Sequence, residues 1–384
     1  MRHIMLRSFL APLTAGVTGS DVPAPAEDEA LVLMRKGDAR IELRLKELRP
    51  LLSDLMEPDM RVFWSYLLLA TLSAWASLGF LIHKANSLQF DLVFFCAFGV
   101  SVICVYHAVT FTHELAHLDQ RKFGSFFWAW NVLVGCLFAI PAFIYGDNHI
   151  DHHSKKYGTA LDPEYINFKK APTSGLIEFL GMNLFLPYLG ILRFCILTPV
   201  SHLHSKLRQL VLREASFMGM KSRFARRISE DASVLKSWSI QEMVTFAYLW
   251  ALVIFVLAGR LHWSAILVWA SMITFVGMLN GVRALAVTHK YFSMGDAPIP
   301  WSEHIEECVE IERRGLSTLL FCPVGTQYHM THHMFPAIPF HHLPEARRRL
   351  APHFEKDSFY HANVRKGIID GLGRFLQGIY SRPA

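Results

Sequence analysis

Eight of the chain's 20 histidines fall into three short clusters whose spacing suits metal ligation. His113-Glu114-Leu115-Ala116-His117 places two imidazoles four residues apart, one turn along the same helical face. His149-Ile150-Asp151-His152-His153 and His329-Met330-Thr331-His332-His333 each place three at i, i+3 and i+4, so that all three share a face. Zinc takes four ligands in a structural site and three in a catalytic one; eight imidazoles exceed what one ion uses and imply two metals. Imidazole suits iron, zinc, copper and nickel alike, so ligand type does not choose among them. A lone histidine is more often a surface or hydrogen-bonded core residue. His3, His83, His202, His204, His262, His304, His353 and His361 are assigned to that class.

The first cluster also fits H-E-x-x-H, in which Glu114 would be the general base of a zinc peptidase. That reading leaves six clustered histidines without a role. Glu114 fits better as a carboxylate that orients a ligating imidazole. Asp162 and Glu164, shortly beyond the second cluster, are candidates to anchor it or a basic neighbour, with a simple turn as the alternative.

Metals in a two-metal site sit about 4 Å apart, so the surrounding elements must bring all three clusters to one place. Four segments have the roughly 20 apolar residues that cross a bilayer: 62–82, 90–112, 240–258 and 263–285. The first two are joined by residues 83–89 and the last two by residues 259–262, links short enough to make helical hairpins. Two further stretches, 125–145 and 174–200, are long enough on hydropathy but carry Gly, Pro or Asn interruptions. The second also contains Glu178 and Arg193. Were 125–145 to cross, the second cluster would lie across the membrane from the first. Both stretches are therefore expected to be re-entrant or interfacial helices against the face that carries the clusters. Nearly all Lys and Arg lie in 30–61, 118–239 and 286–384, while the two links hold only Lys84 and Arg260. The positive-inside bias then puts both termini and all three clusters in the cytoplasm.

The expected fold is an all-α integral membrane protein: two transmembrane helical hairpins, interfacial helices, and a cytoplasmic helical cap holding the metals. Residues 201–239 read as amphipathic helices outside the membrane. The expected organisation is a flexible tail over 1–30, a membrane domain over 31–350 and a C-terminal helical cap segment over 351–384. The tail starts with basic residues, but Arg7 and Pro12 break its apolar run, which is too short for a signal peptide.

Composition agrees with a membrane chain. Charged residues make up 18%, against about 25% in a soluble domain, and 52% of residues are hydrophobic. The net charge of +6 is spread between the apolar runs without a Lys/Arg block, which argues against a nucleic-acid partner. Cys96, Cys104, Cys136, Cys195, Cys308 and Cys322 form no C-x-x-C pair, so they read as buried thiols rather than a zinc knuckle or disulfide framework.

With their flanks, the clusters resemble the membrane fatty acid desaturase family over roughly residues 60–350. The second cluster is followed by Gly158, Thr159, Asp162, Pro163, Glu164 and Tyr165. The segment LNGVRALAVTHKYF, running from the last span, and CPVGTQYHMTHHMFPAIPFHHLPEA, around the third cluster, carry further likeness. The resemblance implies a mushroom-shaped helical membrane protein with a cytoplasmic di-iron cap, which uses O2 and two electrons to attack an unactivated C–H bond of a lipid chain. It implies His113, His117, His149, His152, His153, His329, His332 and His333 as iron ligands, with His289 as a possible ninth. A helix-end histidine at the membrane interface is the alternative for His289. Asn280 and Arg283 share a helical face and are expected to support or pack beside the site; His341 and His342 are expected at the surface or behind the ligands. The expected reaction is desaturation of a fatty acyl chain. Hydroxylation or ketone formation on a lipid or isoprenoid chain is the alternative on the same scaffold. With no haem or iron–sulfur segment in the chain, electrons are expected from a separate ferredoxin, rubredoxin or small haem protein.

Overall fold

The computed structural model describes residues 44–381, apart from 155, 160, 223, 292–298 and 314; the expected tail over 1–30 lies outside the described residues. Helix α1 (Met60–Asn86) begins where the Asp59 carboxylate accepts from the Arg61 amide, and α2 (Leu92–Thr110) where Asp91 accepts from the Phe94 amide. Past Phe111 the chain continues into α3 (Thr112–His117), followed by α4 (Gly124–Trp130), α5 (Gly146–His152) and α6 (Pro172–Ile191). Next come α7 (Ser205–Glu214), α8 (Ala232–Leu257), α9 (Ser264–Val287), α10 (Trp301–Glu307), α11 (His329–Met334), α12 (Leu343–Leu350) and α13 (Ile368–Tyr380).

Among the described residues five stretches are long and apolar enough to cross a bilayer: Met60–Asn86, Leu92–His117, Pro172–Ser201, Ala232–Leu257 and Ser264–Val287. They expose large apolar side chains such as Leu69, Leu72, Leu92 and Leu257, as a lipid-facing surface does. The stretch expected at 174–200 as an interfacial helix thus forms a helix of membrane-crossing length.

The segment joining α1 to α2 meets the segment joining α8 to α9. Ser264 Oγ donates to Ala85 O at 2.8 Å, and the His262 amide donates to Asn86 Oδ1. The opposite ends of these helices, α3 and the end of α9, therefore gather at the other pole, with the histidines.

Residues 125–145 form no single helix. α4 passes into a π-helical turn over Asn131–Gly135, reverses, and returns through a short turn over Ala142–Ile144. Asn131 fixes the reversal: its Oδ1 accepts from the Ala142 amide at 2.9 Å and its Nδ2 donates to Phe127 O at 3.0 Å. Gly135 is required there, because a Cβ would lie 2.5 Å from the Trp130 ring and 2.9 Å from Ile140 O. The chain before and after residues 172–201 also returns to the histidine pole. The Met218 amide donates to Ile144 O at 2.7 Å and the Met220 amide to Pro163 O at 2.8 Å. α6 lies close along α9, where a Cβ at Gly277 or Gly281 would come within 3.2 Å of Asn183 atoms. Arg193 is buried because Glu242 on α8 pairs with it and with Arg208.

Aromatic packing fastens the pole. Phe63 of α1 meets Phe111, Phe126 and Phe340 at ring-centroid distances of 5.5, 5.5 and 5.2 Å. Each such pair contributes about 0.5–1.5 kcal/mol beyond its buried area. Among the described residues one feature departs from an all-α fold: Glu310–Ile311 (β1) pairs in parallel with Val364–Arg365 (β2). The extended, buried backbone of β1 needs hydrogen-bond partners, and the C-terminal stretch supplies them. α13 then packs against the end of α9.

Candidate metal centre

Each cluster rides on a short helix: α3 carries the first, α5 with its C-terminal turn the second, α11 the third. His113, His117, His149, His153 and His332 form one group of potential ligands, and His152, His289, His329 and His333 a second. Within each group the ligating atoms lie within 4.8 Å of one another. All nine histidines singled out in the sequence are brought together. The second cluster gives His149 and His153 to the first group and His152 to the second; the third gives His332 to the first group and His329 with His333 to the second. His289, which follows α9, is held in place by a backbone bridge to Cys308.

The ring nitrogens fit cations between them. Nε2 atoms face each other at 3.0 Å (His152 with His289, and His329 with His289) and 3.1 Å (His332 with His117, and His153 with His149). Separations of about 3 Å suit neighbouring corners around an ion about 2.1 Å from each nitrogen. A neutral imidazole carries one N–H. In His149 and His152 the Nδ1 faces a carboxylate, which holds the proton there and leaves Nε2 a bare lone pair. Lone pairs opposed at that distance repel unless a cation lies between them. Both ring nitrogens of His113 and of His333 are buried with no hydrogen-bond partner, a costly state that metal binding relieves.

Asp162 and Glu164 anchor the second cluster. Asp162 contacts His152 Nδ1 at 3.0 and 3.1 Å and accepts from the Glu164 amide at 2.9 Å. Glu164 lies 2.8 Å from His149 Nδ1 and accepts from the Tyr145 hydroxyl at 3.3 Å. Burial lowers the pKa of His149 well below its ordinary value, keeping the ring neutral for ligation. Burial acts the same way on His152, but the Asp162 carboxylate outweighs it and raises that pKa. Burial also lifts the Glu164 carboxyl to about 7. Glu114 behaves differently from the orienting role expected of it. It stands 3.6 Å from His113 Nδ1, too far for a hydrogen bond, and its Oε2 accepts from the Phe340 amide at 3.0 Å. It ties the first cluster to the Pro-rich turn after the third.

His304 corrects its assignment as a surface or satisfied residue. It is 1% exposed, stacks on Tyr157 with centroids 3.8 Å apart, and has no partner for either ring nitrogen among the described residues. It forms a third potential ligand group with His289, His333 and Cys308. Cys308 is the buried thiol expected of it, yet its Sγ lies 3.5 Å from His289 Nδ1. The available signal was the four-residue spacing of His304 and Cys308, one helical turn. His341 accepts from the Asp59 amide at 3.3 Å and stays outside all three groups.

A cavity of about 210 Å³ is lined by His113, His149 and His289 together with Met182 and Leu186 of α6 and Val276 of α9. Asn280 and Arg283 stand on its wall.

Long apolar helices, a pole of converging imidazoles and a cavity that reaches them are the features of a membrane protein with room for metal ions. The family model for fatty acid desaturases matches residues 87–363, and the chain belongs to that family. It is similar to a ceramide hydroxylase of Caulobacter vibrioides, with 31% identity over 337 residues, 87% of this chain and 93% of the relative. No solved structure matches the chain.

Proposed function

We propose that this chain is an O2-dependent lipid oxidase of the membrane that hydroxylates a ceramide-like long-chain lipid through a histidine-held di-iron centre. The observation that carries the reading is the cavity whose lining combines histidines of both groups with apolar side chains of α6 and α9. The relative's name supports hydroxylation as the outcome. Desaturation of an acyl chain, expected from the sequence, is the second reading, supported by the family's description.

Two iron ions in the two groups would supply, with O2 and two electrons per turnover, the oxidising power that an unactivated C–H bond requires. The chain's own residues do the rest. Asp162 and Glu164 keep the Nδ1 protons of His152 and His149 outward, so that both Nε2 lone pairs point inward. Burial of the rings excludes water. Met182, Leu186 and Val276 give an extended alkyl chain an apolar wall beside the rings. Electrons come from a separate ferredoxin, rubredoxin or small haem protein.

The span count follows from convergence. If all five candidate helices crossed completely, an odd number of crossings would separate the second cluster from the third. We infer that residues 172–201 enter and leave on the histidine side and that four spans cross; the return of the flanking chain supports this, and the positive-charge bias argues for a cytoplasmic histidine side.

The test is lipid profiling of cells expressing wild type or His332→Ala. A wild-type product one oxygen heavier than its parent ceramide, absent with the variant, is expected. A product two hydrogens lighter would select desaturation, and no lipid change would reject both.

A further inference from the structure

Most arginines that the fold removes from water are paired with a carboxylate; Arg365, also buried, donates to the Ala362 carbonyl instead. Arg193 and Arg208 meet Glu242, Arg226 lies 3.0 Å from Asp147, and Arg347 meets Glu310. Arg283 has no carboxylate within ion-pair distance among the described residues, although its charge acts on Glu164 across the same cavity. It is half-buried near the end of α9, on the wall of the cavity that holds His113, His149 and His289. Its Nε and one terminal nitrogen both donate to Asn280 Oδ1, at 3.3 and 3.0 Å. A guanidinium has five N–H donors, so three remain beyond those two bonds. Across from it on α6, Asn183 uses its Nδ2 on Phe179 O, and the cavity around both amides is lined by Phe179, Leu186 and Val276.

An unpaired guanidinium beside apolar walls calls for an oxygen acceptor, and charge-assisted bonds to such an oxygen are the strong kind. Purely alkyl cargo would leave that charge poorly solvated each time the cavity filled. Arg283 precedes Val287, the last residue of α9, by four residues, about 6 Å along the helix axis, and His289 follows two residues later.

We propose that Arg283, steadied by Asn280, binds an acceptor oxygen of the lipid's own polar head, so that the oxidised carbon lies near the head rather than far down the chain. This deepens the lipid-oxidase reading and rests on it. The oxygen could belong to the amide or hydroxyls of a ceramide or to the carboxylate of a free fatty acid, two sources of one chemistry.

The test compares wild type, Arg283→Met and Arg283→Lys as metal-loaded proteins in detergent, each checked for metal content. The probes are a ceramide, a fatty acid and an alkane of equal chain length. Equilibrium binding is measured first; O2 and a reduced ferredoxin as electron donor are then supplied, and the position of the oxidised carbon is read. Wild type should hold one of the headed lipids at least tenfold more tightly than the alkane. Arg283→Met should lose that preference without weakening alkane binding, and should scatter oxidation along the chain; Arg283→Lys should recover part of both. The headed lipid that responds identifies the source of the oxygen. An unchanged preference in Arg283→Met, equal loss for the alkane, or no wild-type preference for a head overturns the inference. Absence of any oxidised product while the binding preference follows Arg283 overturns the lipid-oxidase reading and leaves the head contact standing.

Discussion

The carboxylates behind the imidazoles do as much to shape the centre as the ligands themselves. Asp162 is fully buried and contacts one ring nitrogen of His152 with both oxygens. Removing such a partner typically costs about 10–100-fold in metal affinity. Asp162→Ala should weaken binding at the second group by that factor, read by metal titration of the apo-protein, while the first group keeps its affinity. Equal affinity in wild type and variant would dismiss the orienting role. At this scale the sequence was legible where ligands are local: spacing alone found all eight clustered histidines. It did not find His304, whose neighbours His289 and His333 come from distant segments and meet it only in the fold. Nor did spacing tell that Glu114 would turn from His113 to the Phe340 amide, because that partner lies 226 residues away.

The helices act as struts whose ends set ligand positions. α9 delivers His289, and α13 braces its last turn: a Cβ on Gly371 would fall 2.1 Å from Ala286 O. Gly371→Leu must therefore push α13 off α9. Overpacking of this kind costs about 1–3 kcal/mol. The variant should unfold at lower temperature in detergent and bind less metal at the second group than at the first. Normal metal content at both would separate α13 from the site. Hydropathy recognised the long helices but could not read the reversal at Asn131, which depends on one amide side chain bridging two turns. It also could not weigh the charges of 174–200, because Arg193 is satisfied by Glu242 from a helix about 50 residues on.

For the whole molecule, the gathering of all three clusters at one pole constrains the passage through the membrane. The hairpin links touch each other at the opposite pole, while the strands of chain flanking 172–201 both return to the histidines. Cysteines introduced at Ser87 and Leu261 should react with an impermeant reagent from one side of the membrane, and a cysteine at His204 only from the other. Labelling of all three from the same side would mean that residues 172–201 cross completely. Such a crossing could not coexist with a single histidine centre. The parity of crossings was available from the sequence once the clusters were required to meet. The continuity of the helix over Pro172–Ile191 was not, since Pro and Gly interruptions argued against it.

The central claim, that nine histidines build two iron seats rather than one zinc site, is tested most directly by metal analysis with Mössbauer spectroscopy of iron-57-grown protein. The expected result is about two irons per chain in two distinct environments, with one lost on His152→Ala. Stoichiometric zinc with no iron, or a single iron environment unchanged by that substitution, would contradict it.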